Sequence, residues 1–461
     1  MGRLGIAVSI GVFVLTLSAC AAKPSREGTP VIQRVSVASN GRQANGNSTR
    51  IMASLSISED GRFVAFVSEA SNLVAGDTNG CMDVFVHDCK TRQTTRVSVA
   101  SDGTQGDRWS YAPVISADGR HVVFWSYASN LVPNDTNQRH DVFVHHLATG
   151  KTERVNVTSK GEQVTGEDMS MEIHDQLAIS ADGRYVAFAT DALELKSTKQ
   201  GWGEVYVHDC RSGKTEPVAL TSDGKRANGV SLDPAISGDG RYVAFYSQAT
   251  DLASGGSGTP YGGIFLHDRQ SGETRCVTVG SDGKPADGET DRACISQDGR
   301  YVAFDSGATN LAGPEVQRLL ALAAKNHGGR AGAVYVHDAK SGRTALLGDG
   351  DAAMPGLYSW FPSLSGDGRY VTFLSSRRTP QRDDAKPQAQ HVFLYDRTTQ
   401  QTVQVDFTRD GKPGNGSGVA ASVSANGQPV AVCSGASNLV KGDTNGKYDV
   451  FVWSRKPAAK P

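Results

Sequence analysis

Three stretches of the chain set side-chain oxygens at the first, third and seventh positions of a short polar segment: Asp77, Asn79 and Asp83; Asp135, Asn137 and Asp141; Asp443, Asn445 and Asp449. Oxygen donors at alternate positions can wrap a calcium ion, which takes roughly six to eight of them. No Glu follows to close any of the three sets in bidentate fashion, so few carboxylates remain to offset dehydration of the ion. The competing account is that Asp and Asn make turn hydrogen bonds that hold a long loop ready for the strand behind it. Calcium is the one cofactor the sequence offers.

Histidine is the next candidate for chemistry. His87, His145, His208, His267 and His337 all end runs of the DVFVHD kind. A residue used at one slot of several repeats does not converge on one ion, so these side chains are expected to pack the repeats together. Asp88, Asp209, Asp268, Asp338 and Asp396 beside that slot are expected to bond the turn that follows. There is no G-x-S-x-G elbow, no HExxH and no phosphate loop, and no residue is assigned a catalytic role.

What positions these residues is a repeat. The turn reads ISEDGRFVAF from Ile57, ISADGRHVVF from Ile115, ISADGRYVAF from Ile179, ISGDGRYVAF from Ile236, ISQDGRYVAF from Ile295, LSGDGRYVTF from Leu364 and VSANGQPVAV from Val423. Successive turns are 58, 64, 57, 59, 69 and 59 residues apart. Each copy spells four short strands: a before the turn, b as an apolar run after it, c as DVFVHD or a variant, and d after a TG or SG turn. Strand d alternates, as in Thr95–Val99, so one side of it is wet. This predicts an all-β fold, a seven-bladed β-propeller of four-stranded blades over residues 31–455.

The last copy ends in DVFVWSRKPAAKP without a strand d, while RVSVASNG at residues 34–41 nearly copies RVSVASDG at 96–103. In a ring the N-terminal strand completes the last blade and leaves no open edge. The shared phrases SNLVAGDTNG, SNLVPNDTN and SNLVKGDTNG at residues 71–80, 129–137 and 437–446 then belong to three neighbouring blades.

The DGRYVAF turn followed by VFVHD and a TG hairpin resembles the WD-like propeller repeats of the TolB type, over nearly everything after residue 30. The resemblance implies fold. TolB proteins carry a further α/β domain and the prolyl-oligopeptidase relatives a hydrolase domain, so neither their partner nor peptidase chemistry is carried over. The opening MGRLGIAVSIGVFVLTLSAC has the anatomy of a secretory signal, and Leu17-Ser18-Ala19-Cys20 resembles the lipobox of bacterial lipoproteins. That implies a signal peptide over residues 1–19, acylation of Cys20 and a lipidated linker over 20–30. Ala21, rather than Asp, after the Cys implies an outer-membrane location facing the periplasm. Residues 456–461 form a C-terminal tail. Six further cysteines, at 81, 89, 210, 276, 294 and 433, have irregular spacing and no CxxC, and are expected to be mostly free or buried thiols.

A formal net charge of -1 gives no electrostatic footprint for nucleic acid. Function is expected where the copies differ, on the face that carries the long b-to-c and d-to-a loops. There stand Trp109 and Tyr111, His174 and Asp175, Asp233, Asp291 and Arg292, and Trp360 and Phe361. Aromatics beside acids suit a sugar or peptide ligand; plugging and solvating the channel mouth is the alternative. Residues 314–325 read as a helix inserted in blade five, with apolar residues at 316, 319, 320 and 323 that want cover. The expectation is a lipid-anchored module that binds a protein or glycan partner in the periplasm, with a glycan lyase or hydrolase at the channel mouth as the alternative.

Overall fold

The apolar runs after the DGR turns become strands covered on both faces, and these set the core. In blade one the strands are Leu55–Ile57, Phe63–Ser68, Asp83–Asp88 and Gln93–Arg96, antiparallel and hydrogen-bonded in that order. The computed structural model describes residues 30–49, 55–164, 176–192, 194–195, 203–253, 261–280, 283–314, 316–318, 320, 332–348, 359–375 and 389–455, and holds seven such four-stranded sheets. The protein is therefore an all-β, seven-bladed propeller. Strand a of each blade lines the central channel.

Inside each of the first six blades an aromatic of strand b stacks on one of strand c. Phe66 lies 5.9 Å from Phe85, Phe124 6.0 Å from Phe143 and Phe304 5.7 Å from Tyr335, all fully buried. Each such ring is worth about 2–3 kcal/mol in burial, with roughly 1 more from the pairing.

The DGR turn is a self-contained device. Ser58 Oγ donates to Asp60 Oδ1 at 2.6 Å and accepts the Phe63 N–H at 3.0 Å, while Gly61 takes a φ of 70° that side chains disfavour. Glycine is needed here for a second reason. The ring that follows one turn lies on the glycine of the next, and a Cβ on Gly119 would come within 2.7 Å of Phe63. Backbone hydrogen bonds also join neighbouring turns, among them Glu59 N–H to Ala117 O at 3.0 Å and Ala425 N–H to Glu59 O at 3.1 Å.

Strand c histidines hold blade to blade, as their repetition implied. His87 Nδ1 meets Thr94 Oγ1 at 2.9 Å, and Thr94 Oγ1 donates to Val37 O at 2.5 Å, a carbonyl that follows strand d of blade seven. His145, His208, His267 and His337 pair with Thr152, Thr215, Thr274 and Thr344 in the same way. Asp88 accepts the Lys90 and Thr91 N–H groups of its turn, as expected. It also takes the Arg62 guanidinium at 3.1 and 2.7 Å, a partner the sequence reading left out. Arg184, Arg241, Arg300 and Arg369 repeat that pairing with Asp209, Asp268, Asp338 and Asp396.

The ring closes through the N-terminal strand. Pro30–Arg34 pairs with Asp449–Arg455, Pro30 opposite Arg455 and Arg34 opposite Phe451. Strand d, however, does not run through the copied phrase. It ends at Arg34 and Arg96, and the residues after them turn away so that the buried Ser36 and Ser98 hydroxyls can reach Asp449 and Asp83 at 2.5 and 2.6 Å. The duplication marks the exit from the strand.

Of the inserted helix, Pro314, Val316–Arg318 and Leu320 are described and helical, and Val316 and Leu320 are buried in the core of blade five. The six cysteines from Cys81 onward are free thiols, and burial pushes Cys89, Cys210 and Cys294 up to about 12. Cys20 lies outside the described residues, and no described helix is long and apolar enough to cross a membrane.

Candidate functional site

At the channel mouth, strand a is broken on purpose. It slips register between Tyr111 and Val114, Leu232 and Ala235, Thr290 and Ala293, Trp360 and Ser363, and Gly418 and Ala420, in blades two, four, five, six and seven. In three of these the cause is local. Pro113, Pro234 and Pro362 lack the N–H the ladder would use, and Ala112, Asp233 and Phe361 before them take φ of 51°, 51° and 53°. Such a conformation costs a non-glycine residue about 1–3 kcal/mol, and bulges of this kind re-aim side chains. The result differs by blade.

Phe361 is turned out at the mouth and is 40% exposed, with the Arg292 guanidinium 5.7 Å from its ring centroid. Asp291 Oδ1 accepts the Arg292 N–H at 2.8 Å. Trp360 lies half-buried against Gly332, where only a glycine leaves room for the indole. Asp233 is buried. Below the mouth the channel holds a cavity of about 300 Å³ whose wall is mostly Ala, Val, Leu and Ile. Gln176 crosses it, donating from Nε2 to Ala293 O at 3.2 Å, from blade three to blade five.

Blade two presents a different surface. Trp109 is 50% exposed. Tyr111 is buried beneath it in a cluster with Trp125, Tyr127 and His140: its hydroxyl meets His140 Nδ1 at 2.6 Å, and His140 stacks on Trp125 at 4.5 Å. Tyr111 is thus a support for the face, not part of its surface. His174 and Asp175 lie outside the described residues.

Two groups escaped the sequence reading. Tyr261, in the b-to-c loop of blade four, is 44% exposed, and nothing in the repeat flags it. Asp305 takes a strand b slot filled elsewhere by Val67, Trp125, Ala189, Tyr246, Leu374 and Cys433, and that substitution was visible in the aligned copies. It is 6% exposed, and its Oδ1 has no hydrogen-bond partner. Burial pushes its carboxyl up to about 8, and the nearby Asp291 carboxylate adds to the push against Arg292 and the Phe361 N–H. A carboxyl near neutrality beside an arginine can donate or accept a proton.

The three Asp-Thr-Asn loops hold a cation of the protein's own. Arg96 Nη1 lies 3.2 Å from Asp77 and 3.3 Å from Asp83; Arg154 lies 3.5 Å from Asp135 and 3.2 Å from Asp141; Arg34 lies 3.1 Å from Asp443 and 3.2 Å from Asp449. The middle residue turns its amide the other way: Asn79 Nδ2 donates to Asp83 at 3.1 Å, and Asn137 and Asn445 do the same toward Asp141 and Asp449. The oxygens that a calcium ion would need are engaged by arginine, which supports the turn account. Burial raises the Asp83 and Asp141 carboxyls, and the arginines work against that rise.

No protein-family model matches the chain, and no curated protein does. Solved structures match in shape. An oligogalacturonate lyase from Vibrio parahaemolyticus aligns over 94% of this chain and 100% of its own, with a TM-score of 0.52 and 12% identity. An oligogalacturonate lyase in complex with manganese aligns over 93% and 98%, at 0.52 and 11%. The β-propeller domain of the Trilobed protease from Pyrococcus furiosus, described as having an open velcro topology, aligns over 90% and 97%, at 0.50 and 12%. A TolB from Acinetobacter baumannii aligns at 0.38 and 15%, over 82% and 77%. At these identities the likeness is one of fold alone, and the chain shares the seven-bladed architecture without inheriting a substrate.

Proposed function

We propose that the protein is a lipid-anchored propeller of the cell envelope that captures a protein or glycan partner on its long-loop face. One observation carries the binding face. Trp109, Tyr261 and Phe361 are the exposed large hydrophobic side chains among the described residues: Trp109 and Tyr261 stand in loops of that face, and Phe361 on the channel-lining strand at its mouth. Exposed aromatics on a rigid scaffold are the residues that anchor a partner, because they bury much area for little lost freedom. The lipobox-like Leu17–Cys20 supports the anchor, and with it a place at the periplasmic side of the outer membrane. A variant with Trp109→Ala and Phe361→Ala should lose partner affinity by at least roughly tenfold while its melting temperature stays within a few degrees of the parent. An unchanged affinity in a folded variant would refute the choice of face.

A second reading has its own observation. Asp305, held protonated into the neutral range next to Arg292, supports a glycan lyase or hydrolase at the channel mouth. Its burial argues against that reading, since a substrate does not reach a carboxyl that is 6% exposed without displacing Phe361 or Arg292. Turnover of a polysaccharide that Asp305→Asn abolishes, with binding intact, would decide for the enzyme.

A further inference from the structure

Blade two breaks the repeat on the opposite, short-turn face, and it does so twice at one spot. In blades one, three, four, five and six an Asp ends strand c and takes the DGR arginine, which also lies over the Phe or Tyr that opens strand b. Blade two has His146 in place of the Asp and His121 in place of the aromatic. The architecture survives, because His121 still lies on the glycine of the next turn, Gly183. What changes is the chemistry. The two rings stand edge to face at 86° with centroids 4.8 Å apart, and His121 Nδ1 is 3.0 Å from His146 Nδ1.

We propose that His121 and His146 form a two-histidine site for a divalent transition metal that prefers nitrogen, such as copper, nickel or zinc. Two nitrogens 3.0 Å apart occupy adjacent positions around one ion whose bonds are about 2.0–2.1 Å long. The second shell is already in place. Glu153 Oε1 lies 3.0 Å from His146 Nε2, so that nitrogen carries the proton and Nδ1 presents its lone pair. This is the carboxylate–imidazole arrangement that orients metal-binding histidines. Without metal, the His121 Nδ1–H donates to His146 Nδ1 and holds the same geometry. On binding, His121 shifts its proton from Nδ1 to Nε2, so both Nδ1 atoms become donors and no net proton is released from the neutral pair.

The surroundings favour the neutral ring of His121. Burial lowers the His121 pKa and His146 adds to that, while Asp118 and Asp182 oppose it and Arg120 reinforces it. Lys151 is taken by Glu153 at 2.9 Å. The site is reachable, with the His146 side chain 25% exposed, whereas the strand c histidines His87, His145 and His337 are buried on threonines. Among the described residues no group of three or more His, Cys, Asp or Glu could hold an ion. The pair therefore supplies two ligands, and water completes the coordination.

The test is calorimetric titration of the full chain with Cu²⁺, Ni²⁺ and Zn²⁺ in turn, in a buffer that does not chelate. One ion per chain is expected for at least one of them, with affinity falling at least thirtyfold in His146→Asp. That variant restores the carboxylate that Arg120 lacks, so the fold is retained. His121→Tyr, the residue of four other blades, is a second variant with the same expectation. Glu153→Gln should weaken binding about tenfold or more through loss of the orienting carboxylate, and the copper-loaded parent should show two nitrogen couplings by electron paramagnetic resonance that His146→Asp lacks. Absence of binding by the parent, or an affinity that both histidine variants leave unchanged, overturns the assignment.

Discussion

The two faces of the ring follow opposite rules. On the short-turn face the same Ser, Asp, Gly and Arg recur in the first six blades, and in each the turn serine donates to the aspartate of its own turn. On the long-loop face blades one, two and seven are clamped by buried arginine–aspartate triads. The strained bulges and the exposed aromatics lie on this side as well. The difference teaches that repetition marks what the ring needs in order to close, and that departures from it mark places where stability has been exchanged for something else. The paired histidines of blade two and the Asn426-Gly427-Gln428-Pro429 turn of blade seven are departures on the short-turn face.

The comparison can be broken most severely at its seam. Deleting residues 30–34 removes the strand that pairs with Phe451–Arg455 and takes Arg34 from its two carboxylates. Several kcal/mol should be lost, and the melting temperature should fall by tens of degrees or the chain should fail to fold. A deletion variant that melts like the parent would leave the closure without energetic meaning.

Next in size is the clamp. Arg96→Ala leaves Asp77 and Asp83 buried without their cation, which should cost about 3–5 kcal/mol by chemical denaturation. Arg62→Ala on the other face, where the pair is more exposed, should cost much less. Melting curves of the parent in calcium and in chelator should coincide, because arginine already neutralises the loop; a rise in calcium would show that the ion competes with it.

A smaller effect separates the faces by pH. The folded Asp305 carboxyl keeps its proton up to about 8, whereas the unfolded one releases it near 3.8. Between those values the folded state binds a proton that the unfolded state does not, so this residue lowers stability steadily as pH rises and adds no further loss above about 8. Asp305→Asn should therefore be more stable than the parent at neutral pH, by a margin that widens with pH and then levels off. A margin that is flat from pH 5 to 8 would mean the carboxyl ionises normally.

The architecture was legible in the sequence because it rests on local signals. The DGR turn, the Val-Ala-Phe run and the spacing of about one blade sufficed to place all seven sheets, and the RVSVAS duplication pointed to the seam even though the strand itself lies just before the phrase. Pairings across sequence were less visible. Asp88 was read as a turn residue because its turn is adjacent, and Arg62 lies 26 positions away. The Asp-Thr-Asn loops left calcium open beside the turn account because their oxygens are neighbours in sequence, while the arginines that hold them sit in strand d, where RVSV or RVNV accompanies each of the three copies. Tyr111 was grouped with Trp109 because both are aromatic, yet Trp109 precedes the strand and is exposed, whereas Tyr111 lies within it and is buried. Asp305 showed only as one acidic residue in an apolar run that otherwise matches the repeat.

The central claim, that partners meet the long-loop face, is tested most directly by site-specific photo-crosslinking of the full-length protein in its own cells. A photoreactive residue is placed in turn at Trp109, Tyr261 and Phe361 on that face, and at Lys90, Gln270 and Lys340, which are exposed in the c-to-d turns of the other. The account predicts one shared adduct from the first three positions and none from the second three. Adducts confined to Lys90, Gln270 and Lys340 would contradict it.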